Sequence, residues 1–111
     1  METQRRDFTK EEIDDAWKKA KVDNSYDSNV CRKDYAGALI HKSEYGNTNS
    51  QTGFGWEIDH IKPLAKGGTY DKSNLCPLQW NNNRTKGDNY PSWQTSVSSE
   101  RNNNILKTQN W

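Results

Sequence analysis

The stretch Trp56–Asp88 constrains the fold of this 111-residue chain more than any other part of the sequence. It opens with alternating apolar and acidic residues, Trp56–Asp59, and this alternation predicts a strand. Pro63 and the pair Gly67–Gly68 then predict a long loop, because proline and glycine interrupt regular structure. A short apolar piece and a polar helix complete the stretch. The predicted order is therefore strand, long loop, short strand, helix.

Chemically active side chains stand at both ends of this order. Asp59 and His60 are adjacent at the end of the first strand, and Asn83 lies in the helix predicted over Gln79–Lys86. Phosphodiester hydrolysis needs an activated water and stabilisation of charge at the phosphate. Histidine has the side-chain pKa nearest neutral pH, so His60 is the candidate general base. Asp59 and Asn83 offer oxygen ligands to a hard divalent cation.

The adjacency of Asp59 and His60 sets a geometric condition on such a site. Neighbouring residues of a strand point to opposite faces. Both side chains can therefore reach one phosphate only if the strand ends or twists there, and Pro63 gives it a reason to end.

These residues and their spacing resemble the HNH nucleases, also called the His-Me finger or ββα-metal family. The resemblance implies a small α+β domain with a ββα-metal core, here residues 54–88, preceded by a helix and a hairpin. It makes Asp59 a metal ligand and His60 the base. Asn74 would pin the long loop and help to fix the imidazole, and Asn83 would complete the metal site. Asparagine in place of the family's last histidine favours Mg²⁺ or Mn²⁺.

The function implied by the resemblance is a metal-dependent endonuclease that cuts DNA with low sequence specificity or nicks it, with RNA as the alternative substrate. Arg84 and Lys86 are the candidate phosphate contacts. Glu57 is a candidate spare ligand or supporting acid, and its alternative is a solvent-facing strand residue. His41 competes with His60 for the role of base.

Two other functions remain open on the sequence alone. One is a non-catalytic HNH module that binds nucleic acid, although retention of Asp59, His60 and Asn83 together argues against it. The other is a toxin or defence-system nuclease domain, whose partner would be an inhibitory immunity protein or a larger defence complex.

Composition bounds the rest. Hydrophobic residues make up only 30% of the chain, so a single domain over residues 1–111 with a thin core is expected, compensated by five tryptophans and five tyrosines. The net charge of +1 gives no strong overall attraction to nucleic acid, so binding would depend on local placement of Lys and Arg. The sequence has no membrane-spanning run or signal-peptide core, which predicts a cytoplasmic protein unless a dedicated system exports it.

The two cysteines, Cys31 and Cys76, are isolated. Many HNH relatives carry two cysteine pairs that hold a structural zinc, and Gln79 and Asn82 stand where the second pair would be. The amides cannot form a thiolate site, so no structural zinc is expected. Apolar packing around Leu78 or Trp80 is expected in its place.

Local patterns predict four further segments: a helix over Phe8–Lys21, a hairpin over Val30–Tyr45, a loop over Gly46–Gly55 and an edge strand over Gln94–Ser98. The helix has the clearest signal, since Thr9 and Glu12 form a capping box. Residues 99–111 are polar with sparse apolar positions, and they are expected to form a loosely packed tail.

Overall fold

Three antiparallel two-stranded sheets and two α-helices make up the fold in the computed structural model, which describes residues 5–111. In chain order the elements are α1 (Lys10–Lys19), β1 (Cys31–Lys33), β2 (Leu39–His41), β3 (Trp56–His60), β4 (Leu75–Gln79), α2 (Trp80–Lys86), β5 (Gln94–Glu100) and β6 (Asn103–Asn110). Each sheet pairs strands that are consecutive in the chain: β1 with β2, β3 with β4, and β5 with β6. The predicted α+β class is confirmed. Among residues 5–111, no helix is long and apolar enough to cross a membrane.

Helix α1 begins where the capping box predicts. The Thr9 side chain accepts a hydrogen bond from the Glu12 backbone N–H, and the Glu12 side chain accepts one from the Thr9 N–H. The helix is shorter than predicted at its C-terminal end because Ala20 already has extended backbone angles. Its buried face carries Ala16 and Trp17, which anchor the helix on the core.

Strand β3 lies at the centre of this core. Trp56 and Ile58 belong to the same buried cluster as Trp17, and the rings of Trp17 and Trp56 have centroids 5.5 Å apart. These two strand residues therefore face α1. Because side chains alternate along a strand, Glu57 and Asp59 face the opposite side, where they contact α2.

The predicted hairpin before the core motif is present as β1 and β2, and the Asp34 carboxylate ties it to the rest of the fold. Asp34 is buried and accepts hydrogen bonds from the backbone N–H groups of Ala38 and Gln79, both at 2.9 Å, and from Asn82 Nδ2 at 3.1 Å. Burial raises the pKa of Asp34 to about 6, against these hydrogen bonds, which lower it. One buried carboxylate thus joins the hairpin to β4 and α2.

The apolar packing expected where relatives have zinc-binding cysteines is present at Leu78, which is buried, but Gln79 and Asn82 themselves are joined to their surroundings by hydrogen bonds. Gln79 Oε1 caps α2 by accepting from the N–H groups of Asn81 and Asn82, and its Nε2 donates to the carbonyls of Gln51 and Gly53. Leu78 is buried beside this polar network and does not replace it. Buried amides are stable in such a place because their donors and acceptors are paired.

The expected loose tail is also wrong, since residues 99–111 complete β5 and form all of β6. Asn104 explains how so polar a segment is held. Its buried side chain accepts from the Leu39 N–H at 2.7 Å and donates to the Leu39 carbonyl at 2.9 Å, as a backbone partner would. The sparse apolar pattern carries no trace of this pairing.

Both cysteines are free thiols. Cys31 is buried in β1, whereas Cys76 is half-buried in β4 directly opposite Asp59. No disulfide joins Cys31 to Cys76.

We expect Asp34→Ala to lower the free energy of unfolding by about 2–3 kcal/mol, because it leaves three buried donors without an acceptor, at about 1–3 kcal/mol each, and removes one buried charge in partial compensation. Urea denaturation of the two proteins measures the difference. Asp88→Ala, at an exposed position, is the matched control and should change stability by less than about 0.5 kcal/mol. Equal effects of the two substitutions would contradict the role of Asp34.

We expect the fold to be independent of zinc. The side chains of Gln79 and Asn82 are held by hydrogen bonds, so no metal is needed at this place. The thermal midpoint should be the same with and without excess EDTA. A large fall in the midpoint, or zinc released in proportion to protein on denaturation, would reveal a structural site.

Candidate active site

Asp59 lies near the end of β3 with only 5% of its surface exposed. Its Oδ1 is 3.3 Å from the Lys86 ammonium, and its Oδ2 is 3.9 Å from the Cys76 thiol. Burial raises the pKa of Asp59 to about 6, and Lys86 opposes this rise. The carboxylate is thus held on the α2 side of the strand beside a single compensating charge.

His60 ends β3, as the geometric condition on the pair requires, and its ring lies between aromatic neighbours. The centroid of its imidazole is 4.7 Å from that of Tyr70, edge to face, and 5.5 Å from that of Phe8. Its Nε2 is buried and has no hydrogen-bond partner among residues 5–111. A buried polar atom without a partner is uncommon in a folded protein.

The charges around the imidazole favour its neutral form. Burial is the largest cause that lowers the pKa of His60, and three positive charges add to it: Arg5, Lys86 and Arg6. Glu12 opposes them weakly. A histidine that stays neutral is able to accept a proton.

Asn74 holds the long loop, as the resemblance implies for the residue at this position. Its Oδ1 accepts from the Lys62 N–H at 2.8 Å, and its Nδ2 donates to the carbonyls of Lys62 and Thr69 at 3.0 and 2.8 Å. Tyr70 follows Thr69 directly and packs on His60. Asn74 therefore acts on the imidazole indirectly, by holding the loop that carries Tyr70.

Asn83 and Arg84 both contact Glu57 from α2. Asn83 Nδ2 donates to Glu57 Oε1 at 3.2 Å, and Arg84 Nη2 lies 2.9 Å from Glu57 Oε2. The amide nitrogen of Asn83 is used in this hydrogen bond to Glu57. Its Oδ1 accepts no hydrogen bond from residues 5–111. Glu57 therefore orients Asn83, and it is not simply a solvent-facing strand residue.

Lys86 does not lie where a phosphate contact would be needed. Its side chain is fully buried, and its Nζ is 3.3 Å from Asp59 Oδ1, 3.2 Å from the His60 carbonyl and 4.8 Å from the centroid of the Trp93 ring. The sequence suggested a surface lysine because it ends a polar helix. One turn after Asn83, however, it falls on the same helix face and so points at β3.

His41, the rival base, packs elsewhere. It ends β2, its ring stacks on Phe54 with centroids 4.2 Å apart, and its Nδ1 is 3.9 Å from Glu44 Oε2. The structure thus brings His60 together with Asp59, and sets His41 in a different hairpin.

Sequence reasoning missed the residues that surround His60. Phe8, at the start of the predicted first helix, contacts both His60 and Tyr70. Arg6 stacks on Tyr70, with its guanidinium carbon 4.0 Å from the ring centroid. These contacts join segments more than fifty residues apart, and no local pattern signals them.

The donors present could hold a cation only with help from neutral ligands. Within residues 5–111, no group of three or more His, Cys, Asp and Glu side chains is arranged to hold a metal ion. The free Oδ1 of Asn83, the Asp59 carboxylate and water are the oxygen donors that suit a hard cation such as Mg²⁺.

Comparison with known proteins identifies the class. The HNH endonuclease family model matches residues 40–89, which include β3, β4 and α2 with Asp59, His60, Asn74 and Asn83. The match covers 50 of the 111 residues, and it confirms the resemblance to the HNH family read from the sequence. Such a domain indicates nuclease activity in general, with nucleic acid as the substrate. No curated protein and no solved structure matches the chain.

The buried pair of Asp59 and Lys86 gives a stability prediction. Lys86→Met should lower the free energy of unfolding by about 3–5 kcal/mol, because it leaves a buried carboxylate without its compensating charge. The double variant with Asp59→Asn should recover much of this loss. Chemical denaturation measures both.

Arg84→Met is the control, because it breaks an ion pair that is largely exposed and should cost no more than about 1 kcal/mol. If Lys86→Met is as mild as Arg84→Met, the Lys86 ammonium does not compensate a charged Asp59.

Proposed function

We propose that this protein is a metal-dependent endonuclease that hydrolyses phosphodiester bonds of DNA, with His60 as general base and one divalent cation, Mg²⁺ or Mn²⁺. The observation that carries the proposal is the placement of His60, which ends β3 directly after the buried Asp59 and whose Nε2 has no partner among residues 5–111. Buried polar atoms in a folded protein are usually paired.

His60 acts on the attacking water in this proposal. The neutral imidazole accepts a proton from the attacking water as the water oxygen forms its bond to phosphorus. The positive charges near the ring support this role because they hold the imidazole neutral before the reaction. Tyr70 and Phe8 fix the ring plane, and Asn74 holds the loop from which Tyr70 projects.

Asp59 and Asn83 would hold the cation, which supplies stabilisation of the developing phosphate charge and of the leaving oxygen. Glu57 supports this assignment. It accepts a hydrogen bond from the amide nitrogen of Asn83, which leaves the amide oxygen available as a ligand. Lys86 offsets part of the Asp59 charge, so the attraction to a cation is weaker than for an unpaired carboxylate.

Strands β3 and β4 with helix α2 form the proposed ββα-metal core within one domain over the whole chain. Arg84 remains a proposed phosphate contact, because its side chain is about half exposed beside Asn83. Because phosphate contacts carry no sequence information, low sequence specificity or nicking is the simplest activity.

Nicking of supercoiled plasmid DNA, with metal titrated against rate for each variant, tests the proposal. His60→Ala should reduce cleavage on the order of 10²–10⁴-fold, the usual contribution of general acid–base catalysis, and added metal should not restore it. Asp59→Ala should instead regain part of its activity at higher Mg²⁺ or Mn²⁺, and Asn83→Ala should do so with a smaller initial loss. Asn74→Ala should lose activity together with thermal stability.

His41→Ala is the matched control and should cleave at nearly the wild-type rate. If it abolishes cleavage while His60→Ala does not, the assignment of the base is wrong. A wild-type protein that binds DNA but never cleaves it with either metal would instead be the non-catalytic HNH module.

A further inference from the structure

With Lys86 buried, helix α2 offers no exposed positive charge on the side of β3 where His60 lies. Lys86 neutralises Asp59 inside the protein and offers no surface to a substrate. Arg84 is exposed, but it lies beside Asn83 on the α2 side of β3. The imidazole of His60 lies on the other side of the strand, against Phe8 and Tyr70.

The segment before α1 brings an arginine to this second side. The guanidinium carbon of Arg6 is 4.0 Å from the centroid of the Tyr70 ring, and this centroid is 4.7 Å from that of the His60 ring. The backbone of Arg6 is fixed to the same residue, since its N–H donates to the Tyr70 hydroxyl at 2.6 Å and the hydroxyl donates to its carbonyl at 3.2 Å. Arg6 is therefore held beside the proposed base by three separate contacts with one ring.

The hydrogen bonds of the guanidinium leave one edge of it open. Nη1 donates to Glu12 Oε1 at 2.8 Å and to the Asp7 carbonyl at 3.0 Å, and Nη2 donates to Glu12 Oε2 at 2.9 Å. A guanidinium has five N–H groups, so the Nε–H and one Nη2–H remain, with no acceptor among residues 5–111. These two lie on the same edge of a planar group, the arrangement that binds two phosphate oxygens at once.

We propose that Arg6 is a phosphate-binding residue of this site, on the side of the strand where His60 lies. The open edge binds a backbone phosphate of the substrate while the other edge stays on Glu12. Nearly half of the Arg6 side chain is exposed, so the edge is accessible. This inference rests on the proposed function for the nature of the substrate, and it names a contact that neither the family match nor the motif supplies.

The competing explanation is purely structural, namely that Arg6 only ties the chain before α1 to the helix. Its ion pair with Glu12 is strong enough for that, because hydrogen bonding to Arg6 is the largest cause that lowers the pKa of Glu12 to about 2. The two explanations differ in what happens when Glu12 loses its charge. If the ion pair is only structural, neutralising either partner removes it. If Arg6 binds phosphate, neutralising Glu12 removes a negative charge that competes with the phosphate for Arg6.

The test is the salt dependence of binding to a short DNA duplex, measured in EDTA so that the metal-dependent reaction does not consume the duplex. Arg6→Gln should weaken binding and reduce the slope of log K against log salt by about 0.9, the contribution of one phosphate contact. Arg6→Lys should keep the slope but lose affinity, because it keeps the charge and loses the bidentate edge. Glu12→Gln, which retains the oxygen that accepts from Thr9, should bind as tightly as the wild type or more tightly.

Lys107→Gln is the matched control, since it removes one positive charge from an exposed position on β6, and it should leave the slope unchanged. The inference is overturned if Arg6→Gln keeps the wild-type slope and affinity. It is also overturned if Arg6→Gln and Glu12→Gln weaken binding alike and lower the thermal midpoint alike, or if the wild-type protein does not bind the duplex.

These outcomes separate the inference from the proposed function. A wild-type protein whose binding depends on Arg6 but which never nicks a plasmid supports the contact and refutes the nuclease. A protein that nicks with metal and loses activity in His60→Ala, but whose binding ignores Arg6, supports the nuclease and refutes the contact.

Discussion

The side chain of Asn82 is the contact on which the arrangement of this fold depends. Its Oδ1 accepts from the backbone N–H groups of Ser96 and Val97 at 2.8 and 2.7 Å, and its Nδ2 donates to the Val97 carbonyl and to Asp34. Every hydrogen bond that an amide can make is thus used, in a fully buried place. One neutral side chain joins α2 to the first hairpin and to β5, and so fixes how the helix lies on β3.

Strand β3 divides the site because its side chains alternate. Trp56, Ile58 and His60 face α1 and the segment before it, whereas Glu57 and Asp59 face α2. The proposed base and the proposed ligands consequently belong to two differently packed surroundings, one aromatic and one ionic. The strand ends at His60, where the chain turns away into the long loop.

Local signals in the sequence were sufficient for some of this fold. The capping box at Thr9 predicts the start of α1, since it depends on residues three apart, and the alternation from Trp56 predicts β3. The sequence does not reveal β6, because its strand is held by distant partners such as Leu39 through Asn104 and not by an apolar pattern. Burial of Lys86 is equally hidden, because a seven-residue polar helix gives no stripe to show which side is covered.

Two arginines near the site share an arrangement that could not be predicted from the sequence. Arg84 is held by Glu57 on the ligand side of β3, and Arg6 is held by Glu12 on the side of the base. These ion pairs hold each arginine in place, which would reduce the side-chain entropy lost if it binds phosphate as proposed. The net charge of the protein is only +1. Attraction to a phosphate backbone therefore acts at short range, at the site itself, and not through the field of the whole molecule.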